Sequence, residues 1–65
     1  MCYYVLVRYF DSYLKKNAIT IIRSDSQKKA DARKDIFERG LDIVSVHSNY
    51  QSAVKAGNKF ENFVR

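Results

Sequence analysis

Sixty-five residues, with twelve Lys and Arg against seven Asp and Glu, give one small domain (residues 1–65) of formal charge +5. A domain of this size buries only about 60% of its unfolded surface, and a lone Cys2 and a lone His47 exclude an internal disulfide or a Cys/His metal site as its support. Association with a second copy remains, and the charge suits a phosphate backbone or an acidic protein surface.

The unpaired thiol fits a reducing compartment. No apolar segment has the length of a membrane span, and the opening run lacks a basic leader and is interrupted by Arg8, so a cytoplasmic protein with no membrane contact is expected.

The chain opens on Cys2-Tyr-Tyr-Val-Leu-Val-Arg-Tyr-Phe10, aromatic and β-branched on both alternating faces apart from Arg8. Such a run predicts a strand covered on both sides. One short chain is not expected to cover both, so the surplus face is expected to bind something else, such as a second copy. Turn formers and two lysines follow in Asp11-Ser-Tyr-Leu-Lys-Lys-Asn17, and Ala18-Ile-Thr-Ile-Ile-Arg23 returns as the second arm of a hairpin.

Ser24-Asp-Ser-Gln27 matches a capping box, with the Ser24 hydroxyl expected on the amide of Gln27. The helix that follows should stop at Gly40, the residue suited to a left-handed closing conformation, with Leu41 folding back on Ile36. Asp42–His47 predicts a third strand, and Ser48 or Asn49 can cap a second helix from Tyr50. Two courses remain open beyond it: one continuous helix with Tyr50, Ala53, Val54, Gly57, Phe60 and Val64 on one face, or a stop at Ala56-Gly57-Asn58 and a fourth strand over 59–64. The class expected is α+β, a small ββαβα domain with one helical layer on an antiparallel or mixed sheet.

A symmetric hairpin loop sets Phe10 opposite Asn17 and Arg8 opposite Ile19. Tyr3, Val5, Val7, Tyr9, Ala18, Thr20 and Ile22 then share an uncharged face suited to lie under a helix. The other face carries Tyr4, Leu6, Arg8, Phe10, Ile19, Ile21 and Arg23, arginines among aromatics, a composition that stacks bases and pairs phosphates or anchors a protein interface. The plainer alternative is that Arg8 and Arg23 rim a core covered by the second helix. Lys15 and Lys16 add a positive pair at the hairpin tip. On the first helix, Lys29 and Arg33 interrupt the apolar side of Ala30, Ile36 and Phe37, and a snorkelling role explains them.

Catalysis finds little support. Asp11 ends an apolar strand, a position for a metal-binding carboxylate, yet no second acid sits at a comparable strand end, no Gly-rich phosphate loop occurs, and His47 has no evident nucleophile partner. The expected function is therefore a non-catalytic binding protein without cofactors, contacting nucleic acid or a nucleoprotein through Tyr4, Arg8, Phe10 and Arg23 on the sheet and Lys15 and Lys16 at the tip. The alternative is a protein interaction module or small inhibitor, of the kind mobile elements encode, acting on an acidic protein surface. A homo-oligomer is expected in either case.

Overall fold

The paired runs of aromatic and β-branched residues form β1 (Tyr3–Asp11) and β2 (Lys16–Ser24) in the computed structural model, which describes residues Cys2–Val64. Their antiparallel register sets Phe10 opposite Asn17 and Arg8 opposite Ile19, as a symmetric loop requires. Asp11 makes the turn. Its Oδ1 accepts from the backbone N–H groups of Tyr13 at 2.9 Å and Leu14 at 3.1 Å, the local bonding that suits Asp to turns. Lys15 closes the loop at φ +56°, a left-handed conformation that costs a non-glycine residue roughly 1 kcal/mol or more.

After β2 come α1 (Lys29–Glu38), β3 (Asp42–His47) and α2 (Tyr50–Gly57). The sheet order is β2-β1-β3, with β1 central and antiparallel to both neighbours. Gly40 ends α1 as its sequence position predicts: φ is +81°, its N–H donates to the Phe37 carbonyl at 3.0 Å, and Leu41 packs onto the cluster containing Ile36. Val44 is an extra residue in β3, because Leu6 pairs with Ser45 whereas Val7 pairs with Ile43. This is a β-bulge.

The start of α1 departs from the expected capping box. Ser24 remains in β2 opposite Tyr3, and α1 begins at Lys29, after an N-cap residue, Lys28, that makes no side-chain cap. Alternation along β2 turns the Ser24 side chain toward α1, where its buried hydroxyl donates to Asp35 Oδ2 at 2.9 Å and lies 2.9 Å from the Ser26 hydroxyl. A strand-to-helix tie replaces the cap because pairing with Tyr3 keeps Ser24 extended.

Asn49 caps α2, its Oδ1 accepting from the Ser52 N–H at 2.8 Å. The helix stops at Gly57, so of the two courses left open the terminator holds, although the fourth strand shrinks to one parallel bridge between Phe63 and Ile19. The Ile19 N–H donates to the Asn62 carbonyl at 3.0 Å, and the Val64 N–H donates to the Ile19 carbonyl at 2.7 Å. The Phe63 ring occupies the space beside Gly57 that a Cβ would enter.

The α+β class and the element order are as expected; the layering differs. Helix α1 covers Val5, Val7 and Val46 with Ala32 and Ile36. On the opposite face Leu6 and Ile19 are fully buried, and Tyr4 meets Tyr50 of α2 edge to face at 5.5 Å. The helices therefore lie on opposite faces, two helical layers rather than one. Connectivity explains it: the β2-α1-β3 crossover travels from one sheet edge to the other, the chain through α2 to the Phe63 bridge travels back, and a shared right-handed sense sends the two helices to opposite sides. The face that the sequence leaves in surplus is thus largely covered by α2, which removes the reason to expect a second subunit there.

Candidate functional site

Helix α2 divides the residues predicted to act together. At one end of the sheet Tyr4 stands opposite Arg23, with Tyr50 against the Tyr4 ring. Arg23 is exposed and lies 3.1 Å from Asp25, whose carboxylate raises the guanidinium pKa above its ordinary value. Arg8 lies four residues further along β1, about 13 Å away at the usual strand rise, with buried Leu6 between. The sheet face is not one open platform.

Arg8, Phe10, Lys15 and Lys16 do come together at the hairpin end. Pairing of β3 with β1 ends at Arg8 and Asp42, so Tyr9–Asp11 and their partners in β2 run on without a third strand beside β1, an overhang of about 10 Å. Phe10 is 64% exposed and Tyr13 92%; Leu14, Lys15 and Lys16 are also exposed. Arg8 is held by Asp42 at 3.5 Å, with both side chains largely in solvent, an ion pair of little strength. Asp11, the one carboxylate of the loop, has an oxygen engaged by two backbone amides.

Leu14 is the residue that the sequence pattern misses, and Tyr13 stands exposed beside it. The available signal is position: an apolar side chain in a four-residue loop between two strands has no interior within reach, so it stays in water or meets a partner.

The His47 ring also has a partner that its sequence position does not suggest. Ser45 and His47, two apart on β3 and therefore on one side of the strand, place Oγ and Nε2 2.7 Å apart. Burial, and then the charge of Lys29, lower the His47 pKa from its ordinary value. A serine-activating imidazole has to become cationic and is helped by a carboxylate on its other nitrogen; here the neighbouring charge is a cation, and no carboxylate among the described residues bonds the ring. The geometry reads as a local tie within β3. Asp11 has no companions either: among the described residues no three His, Cys, Asp or Glu side chains gather closely enough to hold a metal ion. No helix among them is long and apolar enough to cross a membrane.

Compared with protein-family models, with curated proteins and with solved structures, the chain finds no match in any of the three.

Proposed function

We propose that the protein is a non-catalytic nucleic-acid-binding protein whose contact surface is the projecting hairpin end. One observation supports this above the others: beyond the last β3 pairing, exposed Phe10, Tyr13 and Leu14 stand among Arg8, Lys15 and Lys16. Exposed aromatic rings offer faces for unstacked bases, worth about 1–3 kcal/mol per base stacked. Cations beside them meet the phosphates of the same strand, with release of counterions. Single-stranded segments suit this arrangement better than a duplex, whose bases are already stacked. Tyr4 and Arg23, at the far end of the sheet, are a secondary contact for a longer strand.

Fluorescence anisotropy of a labelled single-stranded oligonucleotide, titrated at several salt concentrations, tests the proposal. Changing Lys15 and Lys16 to Ala together should weaken binding and reduce the salt slope by about 0.7 for each phosphate no longer neutralised. Tyr13→Ala should weaken binding about 5-fold to 150-fold, the equivalent of one base stack removed. Arg23→Ala should have a smaller effect. Absence of binding to any oligonucleotide at low salt by the wild-type protein refutes the proposal. If an acidic protein then binds at stoichiometric ratio and depends on Phe10 and Leu14, the interaction-module alternative takes its place, because buried apolar anchors dominate such interfaces.

A further inference from the structure

A second surface lies on the other helical side, between α1 and β3, which forms an edge of the sheet. Residues 30, 33, 34 and 37 recur at helical spacing on the flank of α1 that overhangs this edge, and with Asp42 and Ile43 they line an open groove of about 520 Å³. Its floor is apolar, from Ala30, Phe37 and Ile43. Phe37 is 72% exposed, a large aromatic side chain left in water on a helix whose core contacts are made by Ala32 and Ile36. Along the same wall, Arg33 and Lys34 form no ion pair among the described residues, whereas the carboxylate of Asp42, which pairs across the strands with Arg8, is engaged by that arginine at 3.5 Å.

We propose that this groove docks a short acidic segment of another protein, which seats one bulky apolar side chain against Phe37, Ala30 and Ile43 and sets its carboxylates against Arg33 and Lys34. Charge complementarity selects this occupant. Two cations with no ion-pair partner among the described residues, beside an apolar floor, match an acidic peptide with an apolar anchor. A nucleic-acid backbone is a poorer match, because its evenly repeated charges would run on past Arg33 and Lys34 to Asp31 and Glu38 on the exposed side of α1, whereas a short segment can set its carboxylates at the two cations alone. A second copy is also disfavoured. Two-fold pairing along β3 would set α1 antiparallel beside its copy and bring like charges, Arg33 and Lys34, together, and the bulge at Val44 breaks the straight edge that such pairing needs.

The proposal is independent of the hairpin end, and nuclear magnetic resonance separates the two. The probe is a synthetic peptide of glutamates around one central tryptophan, added to the isotopically labelled protein. Controls replace the glutamates by lysines or the tryptophan by serine. The expected result is saturable shift changes at the amides of Ala30, Arg33, Lys34, Phe37 and Ile43, with little or no response to either control. Phe37→Ala and the double change Arg33→Glu with Lys34→Glu alter exposed side chains, so circular dichroism should report an intact fold for both. Each should weaken binding about tenfold or more, the loss expected for an interface anchor. Any of four results overturns the proposal: no shifts in the groove, equal binding of the lysine peptide, shifts confined to residues 13–16, or groove shifts that depend on protein concentration without peptide. The last of these identifies a second copy as the occupant.

Discussion

Gly57→Ala inverts the usual expectation for a helical glycine. Replacing glycine by alanine within a helix normally stabilises by up to about 1 kcal/mol, and less at Gly57, which is the last residue of α2. Its Cβ, however, would stand 2.6 Å from two carbons of the Phe63 ring and 2.8 Å from a third, about 1 Å inside the normal separation of carbon atoms. Relief requires either the ring or the end of α2 to move. The ring belongs to the segment held on Ile19 by hydrogen bonds of 3.0 and 2.7 Å, so moving it strains that bridge. Overpacking of this kind costs about 1–3 kcal/mol, leaving a net loss of about 1–2 kcal/mol and a fall in Tm of about 5–15 °C for so small a domain. Thermal unfolding followed by circular dichroism measures it. The same substitution made in a Phe63→Ala background should be neutral or stabilising, since no ring is then in the way. A rise in Tm for Gly57→Ala alone, or the same change in both backgrounds, would refute the reasoning.

Two further outcomes are expected. Ser24→Ala should cost about 1 kcal/mol, and a double-mutant cycle should assign the loss: coupling of about 0.5–1.5 kcal/mol with Asp35→Ala, the acceptor at 2.9 Å, and none with Gln27→Ala, the capping-box partner. The His47 pKa is lowered by burial and by Lys29, so between that lowered value and about 6.5, the ordinary value, the unfolded chain binds more protons than the native protein. Stability therefore rises with pH across this window, is complete above it, and is lost as the pH falls through it. Urea midpoints measured across the window should show this slope in the wild type and a reduced slope in His47→Gln; identical slopes would exclude His47 as its source.

Local signals carry the parts of the fold that local chemistry decides. A symmetric loop fixes the hairpin register, the left-handed need at Gly40 marks the end of α1, and an Asn side chain marks the start of α2. The layering is hidden because it depends on the direction in which each crossover travels, a property of the whole chain. Ser24 misleads because capping residues and strand-end serines look alike until the pairing with Tyr3 is known. The candidate site is legible in half: Arg8, Phe10, Lys15 and Lys16 do gather at one end, while the passage of α2 over Leu6 and Ile19 parts them from Tyr4 and Arg23. Nothing in the charge pattern marks the groove beside Phe37, since a helical aromatic reads as core until its exposure is seen.

The central strand acts as a shared wall between two separate interiors. One side holds Val5, Val7, Ala32, Ile36 and Val46, while on the other Leu6 and Ile19 are closed in by a two-turn helix and a short segment held by the Phe63 bridge and by the Asn62 side chain on the Asn17 carbonyl. Interiors so unequal need not open together, because the free energy of a local opening scales with the contacts that it breaks. The Ala53 and Val54 amides, and the Ile19 amide bonded to Asn62, should therefore exchange with solvent through a smaller opening than the amides of Ile36 or of mid-β1. Native-state hydrogen exchange at increasing denaturant resolves such a difference, and one common opening energy for all of these sites would show that the wall transmits every disturbance. Where the smaller interior opens first, Leu6 and Ile19 meet water while the hairpin and α1 keep their places, so the molecule loosens from its C-terminal half without unfolding.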